Sequence, residues 1–242
     1  MRKIFLPFPI KERFTLSPDD RHHVIRVLRH RKGDELSVTD STGATYQCRI
    51  IADGGGKEVV LEPIQCIEEG SVQEHPVILA QGLLKNDKFE WIVQKATELG
   101  VHAIVPVQME HCVVKLNETR RQDRLKRWQK IAAEAAKQCG RNDIPTIEPV
   151  CTMKELLERY DGAHIIIPYE REEAPIHAIC KEGQDRAVVI VIGPEGGFAP
   201  QEIKVAQQRE HTHTVSLGPR ILRAETAALA TVSIIMYERG FK

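Results

Sequence analysis

The chain has 242 residues, with 34 Lys and Arg balanced by 34 Asp and Glu, 42% hydrophobic and 28% charged. That balance fits a soluble globular protein with one large core or two smaller ones and excludes a disordered chain. No run approaches the ~20 apolar residues that span a bilayer. The start, Met1-Arg2-Lys3-Ile4, carries no secretion-type apolar stretch, so the cytoplasm is the expected compartment. The neutral total hides local bias. Residues 1–33 hold nine Lys and Arg against three Asp and Glu, and residues 110–141 hold nine against four. Each stretch is either an anion-binding face or a solvated one.

The first third reads mainly as strands, at Arg2–Leu6, Glu35–Thr39, Thr45–Ala52 and Glu58–Ile67, separated by Gly-rich turns. One helix interrupts them. Ser17 is its N-cap, Pro18 its first residue and Asp20 lies in its first turn. It should carry Val24, Ile25, Val27 and Leu28 inward and Arg21, Arg26 and Arg29 outward. A small β-barrel over residues 1–70 is the natural fold. Glu68-Glu69-Gly70-Ser71 reads as a linker.

From residue 76 to 242 the period changes to strands alternating with helices, which implies a parallel α/β sheet. Strand Val77–Gln81 precedes a helix opened by an Asp87-Lys88-Phe89-Glu90 capping box and closed near Gly100. Strand Ala103–Val107 and a long helix from Arg120 to Gln138 follow. A second capping box at Thr152–Glu155 comes next, then strands at His164–Pro168 and Ala187–Ile192. A helix from Pro200, a strand at His213–Leu217 and a last helix from Ala224 complete the chain. The runs Ile165–Ile167 and Val188–Ile192 are apolar throughout, as expected of strands covered on both faces. The last helix is apolar nearly all around, which predicts burial on every side and a subunit interface.

Two loops sit at strand C-termini, where open α/β sheets bind ligands. Ile192-Gly193-Pro194-Glu195-Gly196-Gly197-Phe198 has three glycines in five residues. It matches neither a Walker loop nor a dinucleotide fingerprint. The alternative is a tight strand–helix turn, for which one glycine would suffice. The second loop, Leu217-Gly218-Pro219-Arg220-Ile221-Leu222-Arg223-Ala224-Glu225-Thr226, places two arginines, a glutamate and a threonine at a helix start. The six cysteines form no C-x-x-C pair and the histidines lack partners at ligand spacing, so no metal site is expected.

These two loops and the apolar last helix resemble the SPOUT class of methyltransferases, and within it the bacterial small-subunit (16S) ribosomal RNA uridine-N3 methyltransferase family. Further likenesses lie at His23–Arg29 with Gly33-Asp34, Lys95–Val101, Arg127–Ala132 and Gln138–Asn142. One departure is the Asp40-Ser41-Thr42-Gly43 turn. The resemblance implies an N-terminal PUA-like β-barrel that binds RNA and a C-terminal parallel sheet tied into a trefoil knot. It implies a homodimer and an S-adenosylmethionine pocket at Pro168, Ile192, Gly193, Glu195, Gly196, Gly197, Leu217, Gly218, Ile221 and Leu222.

The implied chemistry is displacement at the cofactor's methyl carbon by a uridine nitrogen, with alignment supplying several kcal/mol of the acceleration. Glu225 is the candidate base, and Arg223 or Arg141 the candidates for stabilising a uridine anion. Alternatively, Glu225 caps its helix and Arg223 only pairs with it. Arg2, Lys3, Arg26 and Arg29 on the barrel, with Lys126, Lys130 and Lys137 along one helix face, are the candidate phosphate contacts. The substrate is small-subunit ribosomal RNA, naked or in the assembled subunit. Rival readings are a same-fold methyltransferase acting elsewhere on RNA, such as a ribose hydroxyl, and a non-catalytic RNA-binding module.

Overall fold

The computed structural model describes residues 4–53, 58–70, 75–85, 87–179, 181–183 and 185–240. The chain divides into two compact units, residues 1–72 with 136–143 and residues 73–135 with 144–242. No helix of the described residues is long and apolar enough to cross a membrane.

The first unit contains β1 (Ile4–Phe5), β2 (Phe14–Thr15), α1 (Pro18–His22), β3 (Glu35–Thr39), β4 (Thr45–Ala52) and β5 (Val60–Glu68). The five strands form one sheet in the order β1-β3-β4-β5-β2. Alternate residues turn inward, so Leu36, Val38, Cys48, Ile50 and Leu61 meet Ile4, Leu6 and Val24 in a single core. Register shifts along the β4–β5 pairing mark the irregularities that curl a sheet toward a half-barrel. Arg2 and Lys3 lie outside the described residues. Asp40, whose turn departs from the family pattern, builds that turn itself. Its carboxylate accepts from the backbone N–H groups of Ile10, Thr42 and Ala44.

The helix of this unit begins as expected, with the Ser17 hydroxyl accepting from the Asp20 N–H at 3.2 Å. It then departs from α geometry. The Leu28 N–H bonds the His23 carbonyl five residues back, making a π-helical turn over His23–Val27. The wider turn rotates the side chains away from the 3.6-residue pattern. Val24 is 0% exposed whereas Val27, expected inside, is 58% exposed. Ile25 and Leu28 are half-buried.

The second unit contains β6 (Val77–Gly82), α2 (Lys88–Leu99), β7 (Ala103–Gln108), most of α3 (Glu118–Cys139), β8 (Thr146–Ile147), β9 (Cys151–Thr152) and α4 (Met153–Arg159). It continues with β10 (His164–Pro168), a short 3-10 turn (Ile176–Ala178), β11 (Val188–Ile192), α5 (Pro200–Gln207), β12 (Thr212–Val215) and α6 (Ala224–Glu238). The strands pair in parallel in the order β12-β10-β11-β6-β7-β8, and β9 also pairs with β7. Ile166, Ile190, Leu79 and Ile104 stand in register across four strands and are fully buried. Each such side chain contributes about 1.5–3 kcal/mol of burial.

The capping box at Thr152 and Glu155 is present in both directions. The one expected at Asp87 is not. Asp87 makes no side-chain cap, and the Glu90 carboxylate instead accepts from Arg124 and Arg127. α2 ends at Gly100, where φ is 98° and an added Cβ would lie 2.8 Å from the Met236 methyl. The left-handed φ favours glycine there, whereas the flexible Met236 methyl could give way. α6 is buried on one face only within this chain. Ala228, Thr231, Val232, Ile235 and Met236 are buried, while Ala227, Leu229, Ala230 and Ile234 are only partly covered and Tyr237 is exposed. Its own unit covers one face of the helix, not all of them.

The π-helical turn makes a direct prediction. Val24→Asp, which buries a charge, should abolish cooperative folding of the first unit, whereas Val27→Asp should change stability by less than about 0.5 kcal/mol. Equal losses in denaturant titration would restore the regular helix.

Candidate functional site

A cleft of about 550 Å³ lies in the second unit, at the C-terminal ends of three neighbouring strands. β10 and its end contribute Pro168 and Tyr169, β11 contributes Ile192 and the loop through Phe198, and the segment after β12 contributes Ser216, Leu217, Gly218 and Arg220 to Arg223. The N-termini of α2 and α6 supply Lys88, Ala224, Glu225 and Ala227. All ten residues expected in a cofactor pocket line this one cleft: Pro168, Ile192, Gly193, Glu195, Gly196, Gly197, Leu217, Gly218, Ile221 and Leu222. Parallel strands bring these loops together because each ends at the same edge of the sheet. The volume is that of a small-molecule site.

The glycine-rich loop is held by its neighbours. The buried Gln81 amide donates to the Gly193 carbonyl at 3.3 Å, and the Lys85 N–H donates to Glu195 Oε1 at 3.1 Å. His111 Nδ1 lies 3.1 Å from the Gly196 carbonyl oxygen. Glu202, at the start of α5, accepts from the N–H groups of Glu110 and Ala199. The glycines serve different ends. Gly197 has φ 70°, a left-handed conformation. A Cβ on Gly193 would lie 3.2 Å from the Phe198 ring. A Cβ on Gly196 would lie 2.9 Å from His111 Cβ and 3.1 Å from its carbonyl oxygen. Gly196 thus packs against His111 on one side while it lines the cleft.

Charge is concentrated at one end. Lys88 Nζ lies 3.3 Å from Glu225 Oε1, and Glu225 Oε2 is buried with no hydrogen-bond partner. Burial acts to raise the Glu225 carboxyl. Its own backbone N–H, the Lys88 ammonium and the Arg223 guanidinium outweigh that and hold it below the ordinary value. Arg223, at the N-cap of α6, is exposed and forms no ion pair among the described residues. Apolar cover comes from Leu217, Leu222, Phe198 and Ile221, the last 86% exposed. Among the described residues no group of three or more His, Cys, Asp or Glu could hold a metal ion.

Other expected residues fall outside the cleft. Arg141 is not among its lining residues, belongs to the first unit and pairs with Asp143 at 2.5 Å. Lys137 lies 3.7 Å from Asp20 within that unit. Arg26, Arg29, Lys126 and Lys130 are exposed and form no ion pair among the described residues. Sequence reasoning missed Lys88, Tyr169, Gln81 and His111. Tyr169 directly follows an expected lining residue, which is a usable signal. Gln81 and His111 reach the loop, and Lys88 reaches Glu225, only through tertiary contacts.

An RNA methyltransferase domain model matches residues 72–236, and an RNA methyltransferase PUA domain model matches residues 16–64. The chain therefore has the build of a PUA-containing RNA methyltransferase. The ribosomal RNA small subunit methyltransferase E of Bacillus subtilis is 35% identical over 232 residues, covering 93% of this chain and 90% of the relative. The same-named protein from Neisseria gonorrhoeae, solved bound to S-adenosyl methionine, has a TM-score of 0.84 at 29% identity and covers 98% of this chain and 97% of its own. A Legionella pneumophila methyltransferase solved with SAM has a TM-score of 0.81 at 28% identity, covering 97% and 96%. The chain belongs to the ribosomal RNA small subunit methyltransferase E family.

The Gly196 geometry predicts that Gly196→Val destabilises the ligand-free protein by about 1–3 kcal/mol, because the clash is internal. An unchanged melting temperature without ligand would return Gly196 to the role of clearance for a ligand.

Proposed function

We propose that this protein transfers the methyl group of S-adenosylmethionine to N3 of a uridine in small-subunit (16S) ribosomal RNA, in the cytoplasm. The observation that carries the reading is the single cleft that gathers all ten expected cofactor residues, in a chain of this family. The cleft suits the cofactor. Leu217, Ile221 and Leu222 can cover an adenine, loop backbone groups can bond its edge, and the unpartnered Oε2 of Glu225 offers an acceptor. When bound, S-adenosylmethionine supplies a methyl group already activated on a sulfonium.

The protein's own part is to orient the uridine and manage charge. Arg223, which forms no ion pair among the described residues, would stabilise negative charge developing on the uridine ring. Glu225, kept ionised beside Lys88, accepts the imide proton or a hydrogen bond from it. Arg141 is engaged by Asp143, so the assignment rests on Arg223 and Glu225. The barrel of residues 1–70 and the methyltransferase domain of residues 76–242 divide the work. Arg2, Lys3, Arg26 and Arg29 in the first, with Lys126 and Lys130 in the second, hold phosphates; Lys137 is already matched to Asp20. The trefoil knot is part of the same proposal, supported by the three cleft loops on adjacent strands β12, β10 and β11.

Nucleoside mass spectrometry of small subunits incubated with the protein and S-adenosylmethionine should show N3-methyluridine. Label on a ribose hydroxyl would instead identify a same-fold enzyme of different specificity, and no label with no cofactor binding would leave an RNA-binding module. If Glu225 takes the proton, Glu225→Gln should lower kcat about 100-fold or more. The wild-type acidic limb should lie below the ordinary Glu value of about 4.3. Lys88→Met removes a charge that lowers the Glu225 pKa, so the limb should move to higher pH; a limb that stays put would argue against Glu225 as base.

The partly covered face of α6, with Ala227, Ala230 and Ile234, supports a homodimer in which that face is buried. Light scattering at micromolar concentration should give twice the 27.4 kDa chain mass. A monomer there would count against it.

A further inference from the structure

The second unit has another concave surface, a groove of about 570 Å³ between the first turns of α3 and the segment before it. Its lining includes Val113, Lys115, Arg120, Asp123, Arg124 and Arg127. Arg120, Arg124 and Arg127 recur at spacings of four and three, which puts them on one helix face. This face is adjacent to, and distinct from, the one carrying Lys126 and Lys130.

The groove is built rather than incidental. Glu90, with a side chain only 11% exposed, accepts from Arg124 at 2.8 Å through one oxygen and from Arg127 at 2.6 Å through the other. One carboxylate therefore holds two guanidiniums side by side, with N–H donors left over on each. The opposite wall is fixed as well. The Gln108 amide donates to the Val114 carbonyl, and Arg121 Nε donates to the Leu116 carbonyl. That wall presents Lys115, and Val113 at 60% exposure. Lys115 and Arg120 form no ion pair among the described residues, and Asp123 is the lone acidic residue of the lining.

We propose that this groove is a second RNA-binding surface, remote in sequence from the cofactor loops, that grips phosphates of an unpaired stretch of the substrate RNA. The proposal rests on the RNA methyltransferase reading above. The chemistry favours RNA over an acidic protein surface. Preorganised guanidinium forks match the planar, bidentate geometry of phosphate oxygens, and the exposed Val113 offers an apolar platform for a ribose or base beside them. The open groove admits a strand running through it.

Truncating Arg124 or Arg127 would strand Glu90 without its counter-charge, so the test uses Lys115→Glu with Arg120→Glu, which leaves that pair intact. Binding of a small-subunit ribosomal RNA fragment is followed by fluorescence anisotropy over a range of salt. The double variant should lose affinity on the order of tenfold or more at moderate salt. Its slope of log affinity against log salt should fall by about 1.4, for two contacts at about 0.7 each. Wild-type affinity and slope would overturn the proposal, and so would a variant that binds naked RNA normally but has lost binding to the assembled subunit, since that assigns the groove to a ribosomal protein. Calorimetry with S-adenosylmethionine separates this from the reading it rests on. A wild-type protein that fails to bind the cofactor sinks the methyltransferase reading, while the variant's RNA affinity still decides the groove.

Discussion

The cleft depends on how closely the glycine-rich loop after β11 lies against the turn after β7. Gly196 approaches the backbone and Cβ of His111 so tightly that no side chain fits between them. Around that point Gln81 and Lys85 hold the loop at Gly193 and Glu195, and Glu202 ties the start of α5 to the same turn after β7. The Gln81 bond satisfies a buried carbonyl and is costly to break, while the Lys85 and Glu110 bonds lie at the surface. A loop so held keeps its free carbonyls and N–H groups in fixed positions. Fixed dipoles give a site affinity without the entropy cost of ordering a flexible segment.

That arrangement in turn relies on the sheet beneath it. β6 and β11 are adjacent and parallel, so Gln81 at the end of one stands beside Ile192 at the end of the other. The Gln81 amide can then reach Gly193 one residue further on. The loops after β10 and β12 reach the same cleft because those strands lie next in order. The fully buried line from Ile166 to Ile104 ties these strand ends to one rigid body. Removing a methylene from that line would shift the loops as well as weaken the core.

Much of this was legible in the residues. The apolar runs of β10 and β11 announced strands covered on both faces, and both cofactor loops could be placed at strand ends without coordinates. Thr152 and Glu155 read correctly as a capping box because both partners lie within one turn. Asp87 and Glu90 show the same spacing yet form no box, since Arg124 and Arg127, 34 and 37 residues away, compete for the Glu90 carboxylate. Val27 was misplaced for a related reason. Hydrophobic periodicity assumes 3.6 residues per turn, and a single π-helical turn breaks that assumption with no signature in composition. The two-residue strands β8 and β9 are too short for any periodic signal.

A net charge of zero also misleads about what an anion meets at the surface. Many of the carboxylates are turned to internal work. Asp40 accepts three backbone N–H groups of one turn, and Glu202 accepts two. Glu155 closes a helix cap and Glu90 locks two arginines. Each of these carboxylates is matched by the donors it holds. In the two basic stretches, Arg26, Arg29, Lys115, Arg120, Lys126 and Lys130 stay exposed without ion-pair partners among the described residues. Where cations outnumber carboxylates locally, as in residues 1–33 and 110–141, they dominate the field met by an approaching polyanion within a Debye length. A formally neutral chain can in this way carry basic faces suited to RNA, while carboxylates such as Glu90 and Glu202 hold its arginines and loops in place.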